Sequence, residues 1–259
     1  FGMPEMHSGL EQCMNDLANQ VGVDPVQFRL KNCVRENDII VTGMVMHPTG
    51  LSECIEKAAR AIDWGHKGQP STPNKRRGQG IAIMWKAPAM PPNAGSSAWL
   101  RMNEDASLEI GVGGQELGQG TFTVMAQIAA GALGVPYEWI KVATPVDTKY
   151  SPYEWQTVAS RLTWSMGNAV KAAALDARKQ ILDMVAEAWN EKPENLDIVN
   201  GHVISYQSEE SISLKDIVVF GMPKPGYNGW IGGPVYGRGQ FMPHYVTNLD
   251  KDTGQGERA

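Results

Sequence analysis

Cysteine is scarce in this chain of 259 residues, and its three copies, Cys13, Cys33 and Cys54, form no C-x-x-C pair. This spacing excludes a cysteine-ligated zinc or iron–sulfur site within the chain and provides no disulfide framework. Unpaired thiols fit a reducing compartment, so the sequence predicts a cytoplasmic protein.

The absence of other sequence features excludes further classes of function. No apolar run approaches membrane-spanning length, and no signal peptide is visible. Acidic and basic residues are interspersed with a net charge of −5, which disfavours nucleic acid and anionic membranes as partners. The five histidines show none of the spacings that bind a metal, so no metal-ligating side chain is assigned. What remains is a chain whose 42% hydrophobic composition can bury a sizeable core.

The best-marked motif is the glycine-rich segment 113–120, Gly-Gly-Gln-Glu-Leu-Gly-Gln-Gly. Before it, apolar and polar residues alternate over 107–112, as in a half-buried strand. After it, a helical pattern with Thr121 or Thr123 as candidate cap runs to a stop at Gly134. A strand, a glycine-rich turn and a helix N-terminus leave backbone N–H groups free at a positive dipole end, which favours an anion such as phosphate.

This segment differs from the familiar nucleotide-binding loops. A Walker loop needs a lysine where this chain has Gln119, and the third glycine of the G-x-G-x-x-G pattern is replaced by Glu116. The neutral amide of Gln119 suits a heteroaromatic edge or a mixed polar ligand. A purely structural strand-to-helix turn also explains the glycines, and for the motif alone this alternative is slightly favoured.

A second polar segment lies in the long loop 145–165. Its stretch from Thr157 to Arg161 (Thr-Val-Ala-Ser-Arg) leads to a long predicted helix. Hydroxyls, an arginine and a helix N-terminus together can hold a phosphate or another anion. Loops of this length in compact domains are usually functional, although a solvated loop with a structural arginine is the alternative. Two anion-suited helix starts in one domain favour an extended ligand with more than one polar group.

Periodicity and capping signals predict a mixed α/β (α+β) fold in which a mixed sheet is flanked by helices. The predicted helices cover 8–21 (with a capping box of Ser8 and Glu11), 25–30 (with Asp24 as N-cap), 51–62, 121–133 and 166–190. The predicted strands cover 79–86, 97–102, 107–112, 139–144 and 235–245, with a hairpin over 196–206 that turns at Asn200-Gly201.

Several segments, in this order and spacing, resemble one family. Phe1-Gly2-Met3-Pro4-Glu5 looks like an R-G-F-G-x-P-Q segment without its Arg-Gly, and 24–32 looks like the D-P-x-x-x-R-x-x-N helix that follows it. Residues 115–120 match an E-M/L-G-Q-G loop, and 147–148, 160–161 and 167–170 match the next cofactor-contacting segment. Over nearly its whole length the chain is similar to the large, molybdenum-cofactor-binding subunit of the xanthine dehydrogenase and aldehyde oxidase family of molybdenum hydroxylases.

The resemblance implies molybdopterin binding for the oxidative hydroxylation of an aldehyde or an N-heteroaromatic compound. The implied cofactor-binding residues are Phe1, Gly2, Leu117, Gly118, Gln119, Gly120, Thr157, Ala159, Ser160, Arg161 and Leu162. Gln119 and its flanking glycines would bind the pterin or its phosphate, 157–162 would cradle the pyranopterin largely through backbone groups, and Phe1-Gly2 would lie close to the metal. The cofactor is expected in its cytosine dinucleotide form. The implied partners are the rest of the large subunit, subunits or domains that carry 2Fe–2S clusters and FAD, and a small-molecule substrate.

Two departures from the family's pattern limit this expectation. The G-x-G-E motif of the general-base glutamate is missing, because Gly254-Gln255-Gly256-Glu257 has a similar spelling but falls too early. The glycine-rich loop that precedes R-G-F-G in the family is missing as well. The chain is therefore expected to be an internal section, inactive alone and without the catalytic residue, with 1–43 as the helical end of the first cofactor-binding domain and 44–259 as the first part of the second. A CoA-thioester reductase of the same family and a non-redox phosphate- or nucleotide-binding module are the alternatives.

Overall fold

A computed structural model of the chain describes residues 2–41, 43, 45–70, 72–85, 91, 93–244 and 250–253. Its contacts divide the chain into two compact units, residues 1–89 with 247–259 (the N-terminal unit) and residues 90–246 (the sheet unit). Across the described ranges, no helix combines the length and the apolar composition that crossing a membrane requires.

The N-terminal unit is helical. Its helices are α1 (Met3–Gln20), α2 (Pro25–Asn32) and α3 (Leu51–Ala61). As predicted, Asp24 caps α2, because its carboxylate accepts hydrogen bonds from the N–H groups of Val26 (2.8 Å) and Gln27 (3.1 Å). A small core that includes Val26 and Ile55 joins α2 to α3.

Two sequence predictions in this unit are wrong. The first helix begins at Met3, so Ser8 lies inside it and the Ser8–Glu11 capping box does not form. The buried carboxylate of Glu11 instead accepts hydrogen bonds from Nε of Arg29 (2.8 Å) and from the N–H of Ile83 (2.9 Å). The strand predicted over 79–86 is absent from its described part, 79–85, where the Ile83 N–H bonds to this side chain and not to a neighbouring strand.

The described part of the sheet unit contains nine strands: β1 (Ser96–Met102), β2 (Leu108–Val112), β3 (Ile140–Val142), β4 (Leu196–Val199), β5 (His202–Ser205), β6 (Ser211–Ser213), β7 (Met222–Pro223), β8 (Trp230–Ile231) and β9 (Tyr236–Phe241). The main sheet has the order β3-β2-β1-β9. In it β1 runs antiparallel to β2 and β9, whereas β2 and β3 are parallel. Smaller sheets join β4-β5-β6 and β7-β8.

The helices of the sheet unit are α4 (Thr121–Leu133), α5 (Leu162–Trp189) and α6 (Leu214–Val219). Helix α4 forms the crossover that the parallel β2–β3 pair requires. Fully buried side chains of the main sheet, α4 and α5 form one core, among them Leu100, Leu108, Ile110, Met125, Leu133, Met166 and Ile181. The mixed sheet flanked by helices confirms the predicted fold class. Helix α5 begins earlier than predicted, at Leu162.

Two turns form as the sequence predicts. Gly134 ends α4 with φ 89°, and a Cβ there would lie 2.0 Å from the carbonyl oxygen of Ile198, so backbone conformation and space both require glycine. Asn200 (φ 49°) and Gly201 (φ 77°) connect β4 to β5 in the hairpin that the Asn-Gly pair predicts.

Candidate functional site

The two polar segments of the sequence line one cleft in the sheet unit, at the starts of α4 and α5. The cleft has a volume of about 370 Å³. Its lining residues are Gln119, Thr121, Thr157, Val158, Ser160, Arg161, Leu162 and Thr163. The N–H of Gln115 donates a hydrogen bond to Oγ1 of Thr157 (2.8 Å) and so joins the two segments directly. Hydroxyl and amide groups therefore meet in one cavity although they come from distant parts of the chain.

The N-terminus of α4 is occupied by a carboxylate of the chain itself. Oε1 of Glu116 accepts hydrogen bonds from the N–H groups of Gly118 (2.7 Å) and Gly120 (3.0 Å), and Oε2 accepts one from Phe122 (3.3 Å). These bonds, led by the one from Gly120, hold the pKa of Glu116 below its ordinary value of 4.5. The backbone N–H groups that the sequence offered to an external anion are thus bonded within the loop.

The side chain of Gln119 is held in place by the same loop. Its Oε1 accepts a hydrogen bond from the N–H of Leu117 (2.7 Å), and its Nε2 donates to the carbonyl of Gln115 (3.0 Å) and to Oγ1 of Thr121 (2.6 Å). Neither Thr121 nor Thr123 caps α4, so the predicted threonine cap is wrong. Both N–H donors of the Gln119 amide are used in the loop, which leaves one lone pair of Oε1 for a ligand.

A strained turn forms another wall of the cleft. The N–H of Arg161 donates to the carbonyl of Val158 (3.2 Å), and the two residues between them, Ala159 (φ 56°) and Ser160 (φ 54°), both have positive φ. Asn and Gly are the usual residues at these positions. Each such non-glycine conformation costs about 1–3 kcal/mol and persists only where the surroundings hold it. Strain of this kind is concentrated at ligand sites.

The surroundings that hold this turn are the contacts of the Arg161 side chain, which is fully buried. Its guanidinium forms an ion pair with Glu154 and donates hydrogen bonds to the carbonyls of Ala94 (2.7 Å) and Gln156 (2.8 Å) and to Oγ of Ser165 (2.7 Å). The guanidinium is therefore a structural anchor that ties the loop to the segment before β1 and to α5. Arg161 can reach a ligand through its backbone.

The start of α5 provides the positive end of the cleft. Within the described part of the chain, no side chain caps this 28-residue helix. The first-turn residues Leu162 and Thr163 line the cleft, and the exposed hydroxyl of Ser160 lies just before them. Uncapped N–H groups at a helix N-terminus stabilise a negative group, so this end suits the anionic part of a ligand.

The remaining predicted site residues lie at other positions. Gly2 is the N-cap of α1 in the N-terminal unit (φ 73°), and Phe1 lies outside the described residues, as does the 254–257 run. Leu117 is 73% exposed. Gly118 and Gly120 contribute their N–H groups to the Glu116 carboxylate.

Sequence reasoning missed three residues that build the site. Ser165 lies one helical turn after Arg161, a spacing that could have revealed the contact. Thr163 is a polar residue in the first turn of a helix, which is also a readable signal. Glu154 has no local signal, because its partner is fixed by the path of the loop. Among the described residues, no group of three or more His, Cys, Asp or Glu side chains is arranged to hold a metal ion.

The comparison with protein families identifies the class of this domain. The family described as molybdopterin cofactor-binding domain matches residues 57–259 of the chain. This match covers most of the chain and includes both segments of the cleft. The chain belongs to the molybdopterin cofactor-binding domain family.

Curated relatives agree with this assignment. The putative xanthine dehydrogenase molybdenum-binding subunit of Escherichia coli K12 is 31% identical over 237 residues, which cover 88% of this chain and 32% of that protein. The nicotine 6-hydroxylase large subunit of Paenarthrobacter nicotinovorans is 27% identical over 225 residues, which cover 81% of this chain and 28% of that protein. The chain thus spans about a third of the length of these relatives.

Solved structures share the fold. The aldehyde oxidoreductase from Desulfovibrio gigas superimposes with a TM-score of 0.65 at 24% identity, covering 99% of this chain and 25% of that one. Quinoline 2-oxidoreductase from Pseudomonas putida 86 gives a TM-score of 0.61 at 16% identity, covering 90% of this chain and 32% of that one. The family match and the curated relatives confirm the resemblance to molybdenum hydroxylases, and neither the CoA-thioester reductase nor the non-redox module receives support.

Proposed function

We propose that this chain forms part of the cofactor site in the large subunit of a molybdenum hydroxylase. The observation that carries the proposal is the single cleft into which Gln119 and the 157–163 segment are brought from distant parts of the chain. A cleft of hydroxyl, amide and helix-terminus groups suits an elongated ligand with several polar parts. The membership of the chain in the molybdopterin cofactor-binding domain family supports that ligand.

The donor set of the cleft fits molybdopterin. The uncapped N-terminus of α5, with the hydroxyls of Ser160 and Thr163, would hold the phosphate, because it is the positive end that no side chain of the described residues neutralises. The amide oxygen of Gln119 and the hydroxyl of Thr157 would hydrogen-bond the neutral pterin edges. When bound, the cofactor supplies the molybdenum centre for hydroxylation, whereas this chain binds and orients it.

Other predicted site residues complete the proposal. Gly118 and Gly120 would fix the loop around Gln119, Ala159 and Arg161 would present backbone groups, and Leu117 and Leu162 would contact the ring system. Phe1 and Gly2 would lie close to the metal, as the resemblance to the family implies. We propose that residues 1–43 form the end of the first cofactor-binding domain and 44–259 the first part of the second.

The relatives support a proposal for the substrate class of the whole protein. We propose a cytoplasmic enzyme that acts on an aldehyde or an N-heteroaromatic compound, since the related proteins include an aldehyde oxidoreductase and a nicotine 6-hydroxylase. Electrons would pass to 2Fe–2S and FAD groups on partner domains or subunits, and the cofactor would be the cytosine dinucleotide form. The chain by itself would not turn over substrate.

The test uses the purified assembled protein that contains this chain. Molybdenum is measured by elemental analysis, and pterin by fluorescence after oxidative release. We expect both molybdenum and pterin in the wild-type protein. The Ser160→Ala variant should contain about 3- to 10-fold less of each, because one hydrogen bond to the cofactor is lost. No hydrogen bond of the Ser160 hydroxyl to the described residues is lost with it. Ser208→Ala, which removes an exposed hydroxyl far along the chain, is the matched control. A fully assembled wild-type protein without molybdenum would refute the proposal.

A further inference from the structure

The Glu116 carboxylate is the chain's own anion at the N-terminus of α4. In the sequence this terminus is a candidate site for the phosphate of a ligand, and in the structure a half-buried side chain already fills it. The bonds run from Gly118, Gly120 and Phe122, so they span the whole turn that carries Gln119.

We infer, on the basis of the proposed function, that Glu116 is the positioning residue of the cofactor loop and acts through Gln119. Glu116 accepts hydrogen bonds from the residues on either side of Gln119. These bonds fix the backbone on both sides of Gln119, and the side-chain amide of Gln119 is held by three further bonds within the loop. The loop is therefore ordered before a cofactor arrives, which reduces the entropy lost on binding.

The Glu116 carboxylate also determines which part of the cofactor binds at the N-terminus of α4 and which part binds at the N-terminus of α5. Helix N-termini attract anions, but the dipole of α4 is already neutralised by Glu116. A cofactor phosphate beside this carboxylate would be repelled, whereas the uncapped start of α5 attracts it. Glu116 thus directs the neutral part of the cofactor to Gln119 and the phosphate to Ser160 and Thr163.

The geometry of Glu116 sets what conservative replacements can do. Glutamine keeps one oxygen for Gly118 and Gly120 but turns an NH2 group toward the N–H of Phe122, where two donors oppose each other. Aspartate keeps the charge, but its side chain is one methylene shorter and cannot span the turn. We expect E116D and E116Q to lose cofactor about 10-fold faster than the wild type, because hydrogen bonds to a charged acceptor are lost.

The experiment measures the rate of pterin and molybdenum release from the purified holoenzyme during dilution and gel filtration. Glu104→Gln in the β1–β2 turn is the matched control, because Glu104 is exposed and makes no hydrogen bond or ion pair within the described residues. We expect Glu104→Gln to release cofactor at the wild-type rate. Equal release rates for wild type, E116Q and E116D would overturn the inference.

Chemical rescue separates positioning from general support of the fold. Glu116→Ala leaves the three N–H groups of the α4 terminus open to a small anion. Formate at tens of millimolar should then slow the cofactor release of E116A toward the wild-type rate and leave E104Q unchanged. Fast release by E116A that formate does not alter would contradict the role of Glu116 as internal anion. A wild-type protein that holds no cofactor at all would instead refute the proposed function.

Discussion

Two charged side chains of the segments that form the cleft, Glu116 and Arg161, both bond to the protein itself. The carboxylate caps a helix and the guanidinium anchors a loop, so neither offers a free charge to a ligand. The ligand therefore meets hydroxyls, an amide oxygen and backbone groups. Such a surface selects by hydrogen-bond geometry more than by charge, which suits a pterin whose edges carry mixed donors and acceptors.

Removal of Arg161 tests its anchoring role. Arg161→Ala should lower the free energy of unfolding by about 3–5 kcal/mol, because it leaves the buried carboxylate of Glu154 without its partner. Arg101→Ala is the matched control, since it breaks the partly exposed pair with Glu109 and should cost less than about 1 kcal/mol. Urea titration of each variant gives both values. Similar losses for the two variants would show that the buried pair contributes no more than a surface pair.

Of the two helix caps that the sequence predicts in the N-terminal unit, one forms and the other does not. Asp24 caps α2 as predicted, because an Asp before Pro at a helix start has few other conformations open to it. Ser8 and Glu11 match the sequence motif of a capping box, yet the Glu11 side chain pairs with Arg29, which lies 18 residues later in the chain. The local sequence motif cannot show whether a glutamate carboxylate accepts a hydrogen bond at the helix start or pairs with a side chain distant in the chain, because either partner satisfies the carboxylate.

At the scale of elements, strand β9 of the main sheet approaches the backbone of α5 closely. A Cβ on Gly237 would lie 2.0 Å from the carbonyl oxygen of Ala173, and one on Gly239 would lie 1.9 Å from that of Ala169. The strand thus packs directly on the helix backbone, with alanines opposite the glycines. This contact fixes the position of α5, whose first turn lines the cleft.

Substitution of these glycines tests the contact. Gly239→Ala should destabilise the protein by about 1–3 kcal/mol or more, because the strand must move away from the helix. Gly131→Ala is the control: it lies in α4, is exposed, and a Cβ there would meet nothing within 4 Å. That change should stabilise the protein by up to about 1 kcal/mol, since alanine favours the helix. Thermal unfolding measures both, and a tolerated Gly239→Ala would contradict the packing described.

The elements that are bounded by strong turn or helix-stop residues can be predicted from the sequence. Helix α4 with its Gly134 stop and the hairpin at Asn200-Gly201 form as predicted, because each depends on residues within a few positions. The strand expected over 79–86 does not form in its described part, although its residues alternate. A strand needs a neighbour, and alternation alone does not supply one.

At the scale of the whole molecule, hydrogen-bonded carboxylates make the free energy of unfolding depend on pH in the acid range. The pKa of Asp105 is lowered by the Ser107 hydroxyl, and that of Asp250 by the Thr253 N–H, from the ordinary value of 3.8. A lowered pKa in the folded state gives stability that is present above the ordinary value and is lost as pH falls through the lowered one.

The double variant Asp105→Asn/Asp250→Asn isolates this contribution. Its Tm should lie below that of the wild type by a constant amount at pH values well above the ordinary pKa of 3.8, and the difference should shrink as the pH falls from 3.8 through the lowered folded-state pKa values, where the wild-type carboxylates become protonated. Thermal unfolding across this range measures it. A difference that grows on acidification would mean that the folded-state pKa values are raised instead.

The cleft itself belongs to the scale of the whole sheet unit. The sequence predicts an anion-suited helix start in each of the two segments that line it, and their resemblance to a cofactor-binding family points to the same ligand. That they share one cavity follows from the core between β1, α4 and α5, which brings Gln119 and Thr157 together. The spacing of the two segments in the sequence does not predict that Gln119 and Thr157 lie close together in the fold.

The sequence by itself determined the fold class, the α4 and hairpin boundaries and the two segments with ligand-binding chemistry, because caps, turns and periodicity are local. The folded structure adds that the α4 terminus is filled by Glu116, a local contact that the sequence does not distinguish from an open terminus. Tertiary contacts decided that Arg161 is an anchor and that no side chain of the described residues caps α5. The physical reason is competition: each polar group bonds to the best partner within reach, and only the folded chain defines which partners are within reach.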